Sequence, residues 1–136
     1  MDVFTKEKRS RIMSKVKGKD TKPERLVRSL LHGMGYRFRL HRRNLPGNPD
    51  IVLPKHRKVI FVHGCFWHGH EECSRSKRPA SNQKFWDEKL NKNIQRDKNN
   101  ILTLRNMDWT PLIIWTCEVK DIVSLKLKLQ NFLESC

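Results

Sequence analysis

Three short apolar runs constrain the fold more strongly than any other feature of the sequence. Ile51–Leu53 and Val59–Val62 are separated by a turn that begins with proline, which predicts a hairpin of two strands. Leu112–Trp115 is apolar at every position, as is typical of a strand in a sheet that is covered on both faces. Because helical segments surround these runs, the sequence predicts one α/β domain over residues 1–136, built in two or three layers.

The N-terminal part of the chain contributes two predicted helices and a strand. Residues 1–20 form a basic arm in which Thr5–Val16 predicts a helix. Thr21–Glu24 has the spacing of a capping box with proline in the first turn, which predicts the start of a second helix. Tyr36–Leu40 alternates apolar and basic residues, and this alternation predicts a half-buried strand.

The C-terminal part contributes two more predicted helices. Residues 82–107 form a long polar stretch whose apolar positions, beginning with Phe85 and Trp86, recur at helical spacing and are expected to face inward. Val119–Leu133 predicts an amphipathic helix that closes the domain. The predicted order of elements is therefore α-α-β-β-β-α-β-α.

The charge of the chain favours a polyanionic partner. Lys and Arg number 29 against 14 Asp and Glu, which gives a net charge of +15. Residues 1–43 alone hold 14 Lys and Arg against four acidic residues. A basic surface of this kind favours nucleic acid, whereas a charged surface that served only solubility would carry more evenly mixed signs.

Composition also excludes several classes of protein. The sequence has no run of about 18 apolar residues, so no membrane span is expected. The N-terminus is basic but lacks the apolar segment of a signal peptide, so we expect a cytoplasmic protein. In that reducing compartment the four cysteines are better interpreted as thiols or metal ligands than as disulfides.

An Asp and a His stand at the ends of the predicted hairpin strands. Asp50 directly precedes one strand and His63 ends the next, so the two side chains are expected to converge at one edge of the sheet. A carboxylate suits the hard ion Mg²⁺, and a neutral imidazole can take a proton from a water molecule. The alternative is that Asp50 only closes the turn formed with Asn48 and Pro49.

Cysteine and histidine are clustered after the hairpin. Cys65, His70 and Cys73 lie within nine residues, and Cys117 follows the apolar run that ends at Trp115. Three thiolates and one imidazole form a closed tetrahedral ligand set for structural Zn²⁺. The alternative is a group of unpaired thiols beside a surface histidine. Cys136 stands at the end of the chain, too far away to be expected as a ligand.

The order of these residues resembles that of the Vsr family, the very-short-patch repair endonucleases that nick DNA beside a T·G mismatch. The resemblance extends over nearly the whole chain, and the His-Gly-Cys-Phe-Trp-His motif is highly specific. The matching segments are Pro46-Gly47-Asn48-Pro49-Asp50, Phe61-Val62-His63-Gly64-Cys65-Phe66-Trp67-His68-Gly69-His70, Phe85-Trp86, Lys92-Asn93 and Arg96-Asp97.

The resemblance implies a fold like that of the restriction endonucleases (PD-(D/E)XK type), with a central mixed sheet flanked by helices. By similarity, Asp50 and the backbone carbonyl of Val62 bind catalytic Mg²⁺. His63 and His68 act around the attacking water and the scissile phosphate. Glu24 contacts the water shell of the metal, which is compatible with the predicted capping box only if its side chain leaves the cap.

The resemblance also implies how a mismatch is recognised. Phe66, Trp67 and Trp86 enter the DNA beside the mismatch, and Met13 enters from the opposite groove. Aromatic and apolar wedges of this kind separate a base step in exchange for a bent duplex with more contacts. The alternative is that the three aromatic residues belong to the core, and it is strongest for Trp86 because it shares a helix with apolar residues.

The function predicted on this basis is a monomeric bacterial endonuclease that depends on Mg²⁺ and contains structural Zn²⁺. It nicks double-stranded DNA 5′ to the thymine of T·G mismatches left by deamination of 5-methylcytosine, and it acts together with other repair proteins. Glu71 and Glu72 separate His70 from Cys73 where relatives usually have one residue, which puts the third zinc ligand in question. Two alternatives stay open: a restriction or homing nuclease of the same fold that cuts paired DNA, and a non-catalytic DNA-binding module with zinc. Gly64 after His63 speaks against the homing type, which has Asp there.

Overall fold

A computed structural model describes residues 21–42, 44–71, 73 and 77–135 of the chain. The predicted helix at Thr5–Val16, with Met13, lies outside these residues. The described helices and strands are, in chain order, α1 (Lys22–Gly33), β1 (Arg39–Leu40), β2 (Ile51–Leu53), β3 (Lys58–His63), α2 (Gln83–Asn106), β4 (Thr110–Trp115) and α3 (Ile122–Glu134).

The four strands form one mixed sheet in the order β1-β2-β3-β4. β1 pairs with β2 and β2 with β3 in antiparallel fashion, whereas β3 and β4 are parallel. The β2–β3 hairpin is closed by a 3-10 turn at Pro54–His56, and Arg57 ends that turn in the left-handed region with φ 55°. The mixed sheet of the expected fold class is therefore present.

Helices cover both faces of the sheet, so the domain has three layers. On one face Ile60 and Ile114 pack with buried residues of α1 and α3, such as Leu31 and Leu129. On the other face a second cluster of buried residues joins β2 and β3 to α2, and its members are Leu45, Val52, Val59, Phe61, Leu104 and Trp109. Neighbouring residues of β3 alternate between the two clusters because successive side chains of a strand point to opposite faces.

The predicted strand at Tyr36–Leu40 is wrong in its length, since only Arg39–Leu40 pairs with β2. Tyr36 and Phe38 pack against the core on the side of α1 instead of joining the sheet. The next residue, His41, adopts φ 48°, which an extended strand cannot contain. The strand is therefore confined to two residues between a packed segment and a left-handed turn.

Two further expectations need correction. The C-terminal helix begins at Ile122 rather than Val119, because Thr116–Lys120 forms a 3-10 turn and Asp121 caps the helix by accepting from the Ser124 amide at 3.2 Å. In α2, Phe85 does not face inward, since 55% of it is exposed. None of the described helices combines the length and the apolar character that are needed to cross a membrane.

Lys58, at the start of β3, is a buried cation that binds the end of α3. Its Nζ donates to the carbonyl oxygens of Phe132 at 2.7 Å, Leu133 at 3.1 Å and Ser135 at 2.7 Å. The last carbonyls of a helix lack intrahelical partners, and a cation near them is favourable. This contact therefore joins the C-terminus of the chain to the strand that ends at His63.

Replacing Lys58 by Met should destabilise the protein by about 3 kcal/mol, because three carbonyl oxygens at the end of α3 lose a charged donor that is itself buried. Urea unfolding followed by tryptophan fluorescence measures this difference. Lys55→Met, at an exposed position in the adjacent turn, is the matched control and should stay within about 0.5 kcal/mol of wild type. Equal stability of the two variants would contradict the role given to Lys58.

Candidate functional site

Asp50 and Val62 meet at the open end of the β2–β3 hairpin. Asp50 directly precedes β2, and its Oδ2 accepts a hydrogen bond of 2.7 Å from the backbone N–H of Val62. His63 is the next residue of β3 and also its last. Asp50 and His63 line the same cavity of about 280 Å³, together with His68 and Asp97. The antiparallel register thus places the carboxylate and the imidazoles around one opening at the rim of the sheet.

The environment of Asp50 disfavours its charged form. The pKa of Asp50 is raised to about 6, mainly by burial and also by the neighbouring Glu24 carboxylate, while the hydrogen bond from Val62 acts in the opposite direction. A carboxylate with a raised pKa gains free energy when a cation binds close to it. The site is therefore suited to binding a cation near neutral pH.

Glu24 occupies the first turn of α1 and turns its side chain towards this site. The N-cap is formed by Thr21, whose Oγ1 accepts from the Glu24 backbone N–H at 3.4 Å. Glu24 is buried, and its carboxylate lies 3.2 Å from the guanidinium of Arg28. The backbone of Glu24 thus completes the cap while its side chain serves another contact, so the two expectations for this residue are compatible.

His41 joins Glu24 and Asp50, and the sequence reasoning missed it. One ligand atom from each of the three residues lies within 4.8 Å of those of the other two. The backbone N–H of His41 donates to the Asp50 carbonyl at 3.2 Å, which anchors the histidine beside the carboxylate. His41 belongs to no motif in the sequence, and its only signal was its place just after the strand that pairs with the Asp50 segment.

The second histidine, His68, stacks on His63 and is held by Asp97. The two imidazole rings are 3.9 Å apart between centroids and tilted by 10°, and Nδ1 of His68 lies 2.6 Å from Oδ2 of Asp97. Such a carboxylate fixes both the orientation and the tautomer of an imidazole. The Arg96-Asp97 segment matches the family, but the sequence alone predicts no role for Asp97. The structure places Asp97 against His68.

His63 is a neutral imidazole with a ring nitrogen that no described residue satisfies. Burial lowers the pKa of His63 to about 4, and the neighbouring His68 lowers it as well, so the ring is neutral at physiological pH. Its Nδ1 is buried and has no hydrogen-bond partner among the described residues. The ring thus presents a nitrogen that a water molecule or substrate group could satisfy.

Cys65, His70, Cys73 and Cys117 come together on the other side of the loop. One ligand atom from each of the four lies within 4.8 Å of the others, and none of the three cysteines forms a disulfide within the described residues. Cys117 Sγ is 3.4 Å from Nδ1 of His70. The loop with its additional residue therefore still brings Cys73 to the cluster.

The pKa values of the thiols in this cluster are those expected of a site that binds a cation. Burial opposes ionisation of Cys65, but hydrogen bonds from Thr116, Cys117 and His70 outweigh burial and lower the pKa of Cys65 to about 6. Burial and the adjacent sulfur of Cys65 raise the pKa of Cys117 to about 12. Several thiolates can therefore exist together here only if a cation compensates their charge.

The turn that carries Cys117 is tied to α3. Glu118 accepts from the Trp115 backbone N–H at 2.9 Å, and Nζ of Lys128 lies 2.8 Å from the same carboxylate. The ring of Trp115 in turn stacks on His70 at 4.3 Å. These contacts hold two of the four cluster residues in place from outside the loop.

Gly69 lies between His68 and His70 and permits a close approach of the loop to α2. Its φ is 61°, and a Cβ atom at this position would overlap the side chain of Ile94. Only glycine satisfies both conditions. His68, before the glycine, belongs to the group with His63 and Asp97, whereas His70, after it, belongs to the cysteine cluster.

Aromatic side chains gather at the surface where the loop meets the start of α2. Ring centroids of Phe66, Trp67 and Trp86 are 5.1 to 5.9 Å apart, and Phe85 lies 5.1 Å from Trp86. Trp67 is 44% exposed, and none of the four belongs to the two clusters of buried core residues. Nζ of Lys89 lies 5.2 Å from the Trp67 ring centroid. Trp67 and Phe85 are thus exposed, whereas Phe66 and Trp86 are half-buried beside them, outside both core clusters.

Comparison with known proteins identifies the family. The family model described as DNA mismatch endonuclease Vsr matches residues 1–75. The type II nicking enzyme V.XorIIP of Xanthomonas oryzae pv. oryzae is 46% identical over 133 residues, which cover 98% of this chain and 97% of that protein. The DNA mismatch endonuclease Vsr of Escherichia coli K12 is 44% identical over 119 residues, covering 88% of this chain and 76% of that protein.

The fold has a counterpart among solved structures. The catalytic domain of the homing endonuclease I-Bth0305I superposes with a TM-score of 0.59 at 24% sequence identity, covering 85% of this chain and all of that chain. At that identity the likeness concerns the fold alone. The family model, which spans more than half of the chain, and a relative that is 46% identical along almost all of it show that this chain belongs to the Vsr family of DNA mismatch endonucleases.

Proposed function

We propose that this protein is a Mg²⁺-dependent, strand-specific endonuclease that acts in the bacterial cytoplasm on double-stranded DNA containing a T·G mismatch. It nicks the strand 5′ to the mismatched thymine, which opens that strand for resynthesis by other repair proteins. One observation carries the proposal: Asp50 faces the His63–His68–Asp97 group across a single cavity at the rim of the sheet. Family membership supports the class of substrate.

The chemistry of the donors at Asp50 fits a divalent cation. Asp50 supplies a carboxylate oxygen, the kind of ligand that Mg²⁺ prefers, and the raised pKa of Asp50 favours a cation there. The Val62 carbonyl is the second ligand that the family resemblance implies, and the Glu24 carboxylate is proposed to contact the water shell of the metal. A bound Mg²⁺ ion would stabilise negative charge on the attacking and leaving oxygens of a phosphodiester.

The histidines perform the proton chemistry in this proposal. His63, neutral at physiological pH, accepts the proton of the attacking water. His68 gives its Nδ1–H to Asp97, so its Nε2 donates a hydrogen bond to the scissile phosphate only as the doubly protonated imidazolium. Asp97 acts through His68 and is therefore a positioning residue, which adds one residue to the set that the sequence motifs had assigned.

The thiol-rich cluster is proposed to hold structural Zn²⁺. Three thiolates and one imidazole leave no open coordination position, as in sites that stabilise a fold rather than catalyse a reaction. Cys65, His70 and Cys73 belong to the loop, and Cys117 belongs to the turn after β4. Zinc at this place would hold the loop that carries His68 and Trp67 against the sheet.

Mismatch recognition is assigned to the aromatic residues around the exposed Trp67. Phe66, Trp67 and Trp86 are the side chains proposed to enter the duplex, and the exposure of Trp67 supports this role. A mispaired step costs less free energy to open than a paired one, so insertion itself discriminates between the two. Met13, outside the described residues, is proposed to enter from the opposite groove.

The activity and its metal site are tested with Asp50→Asn on duplexes that differ only in T·G or T·A. Wild-type protein with Mg²⁺ should nick only the T·G duplex, and the variant should be at least about 1,000-fold slower, because several kcal/mol of charge stabilisation are lost. Gel assays with either strand labelled measure the position and rate of the nick.

Asp108→Asn, at an exposed position beyond α2 whose left-handed backbone asparagine tolerates, is the matched control and should nick at the wild-type rate. Equal cutting of T·G and T·A duplexes would favour a restriction-like nuclease instead. Binding without any nick would favour a non-catalytic module.

Trp67→Ala tests mismatch recognition. The ratio of kcat/KM on T·G over T·A duplexes should fall by about tenfold, since a stacking contact of one to a few kcal/mol is lost beside the mismatch. Leu127→Ala, a 54% exposed position on α3, should leave the ratio unchanged. An unchanged ratio in Trp67→Ala would assign this side chain to packing alone.

Metal analysis of the purified protein should give about one equivalent of zinc. Cys117→Ser should lose that zinc and unfold about 10 °C lower, because one of four ligands is removed and the loop is no longer held. Cys136→Ser, which changes the one cysteine that is not among the four proposed ligands, should keep both properties. Full zinc content in Cys117→Ser would contradict the ligand set.

A further inference from the structure

His41 adds a nitrogen to the two carboxylates of the proposed metal site. Its ligand atom lies within 4.8 Å of those of Glu24 and Asp50, and its backbone N–H is bonded to the Asp50 carbonyl. β1 and β2 pair through Leu40 and Ile51, the neighbours of His41 and Asp50, so the sheet itself fixes this proximity. The backbone pairing of β1 and β2 therefore holds the third donor, His41, beside the two carboxylates.

A cation already lies at these donors. Nη2 of Arg28 is 3.0 Å from Nε2 of His41 and 3.2 Å from Oε2 of Glu24. The guanidinium thus bridges the imidazole and a carboxylate that is 3% exposed. Nε2 of His41 also lies 3.7 Å from Oε2 of Glu24, so a metal ion that binds both residues would displace Arg28.

We propose that His41 is a metal ligand and that it raises the affinity of this site for Mn²⁺ more than its affinity for Mg²⁺. An imidazole nitrogen favours transition metals, whereas Mg²⁺ takes oxygen ligands and retains its waters. A site with two carboxylates and one imidazole therefore binds Mn²⁺ more tightly than a site of carboxylates alone. The inference rests on the proposed function, because it concerns the metal that Asp50 binds.

The test measures metal binding rather than nicking. Zinc-loaded full-length protein is titrated with Mn²⁺ while the signal of free Mn²⁺ is followed by electron paramagnetic resonance, and Mg²⁺ affinity is obtained by competition. His41→Asn keeps a side chain that tolerates the φ of 48° at this position. It should weaken Mn²⁺ binding by about tenfold and change Mg²⁺ binding by less than about twofold.

Two further variants make the result specific. Arg28→Met should tighten Mn²⁺ binding severalfold, because the competing cation is gone and Glu24 keeps its charge. His32→Asn, at an exposed position in the last turn of α1, should bind both ions as wild type does. Mn²⁺ affinities of His41→Asn and His32→Asn that agree would overturn the inference.

Asp50→Asn separates the two proposals. Loss of both Mn²⁺ and Mg²⁺ binding in this variant, together with unchanged Mn²⁺ binding in His41→Asn, would leave the proposed function standing and reject His41 as a ligand. Unchanged binding of both ions in Asp50→Asn would instead reject the metal site on which the proposed function depends.

Discussion

The hydrogen bond from the Val62 backbone N–H to the Asp50 carboxylate connects the register of the sheet to the candidate chemistry. It occurs where β2 begins and β3 ends, so any slip of the hairpin by one residue would move Asp50 away from His63. The parallel pairing of β3 with β4 then places Trp115, and after it the turn with Cys117, beside the same rim. Both ligand groups therefore depend on one strand register.

Electrostatic compensation explains how carboxylates are kept together at this rim. Glu24 stands in the first turn of α1, where the helix dipole favours negative charge, and Arg28 one turn later contacts its carboxylate. Asp50 has the Val62 N–H as a donor, but its pKa remains raised. The chain as a whole carries a net charge of +15, so this acidic group is a local exception on a protein suited to approach DNA.

Sequence patterns predicted the fold well where packing sets the pattern. The fully apolar run at Leu112–Trp115 indicated a covered strand, and helices do cover both faces of the sheet. The alternation at Tyr36–Leu40 misled because an edge segment can show the pattern of a strand while packing on a helix. The inward assignment of Phe85 failed because helical spacing alone does not distinguish a core face from an exposed aromatic surface.

Some residues of the candidate site could be predicted from the sequence, and others could be found only in the structure. Asp50, His63 and the Cys/His cluster could be found because they lie in motifs with definite spacing. His41 and the contact of Asp97 with His68 could not, since both are contacts between segments far apart in the sequence. Spacing in the sequence predicts ligands that lie in one loop. Residues that contact those ligands from other segments depend on which strands and helices pack together.

Gly69 sets a limit on how this loop can vary in length. Its left-handed backbone and its contact with Ile94 fix the step from His68 to His70, so an insertion between the two histidines would displace both groups of ligands at once. The residues Glu71 and Glu72 come after that step, and Cys73 still reaches the other thiols. A change of length after the glycine, as at Glu71 and Glu72, leaves the step between the two histidines unaltered, whereas a change between them does not.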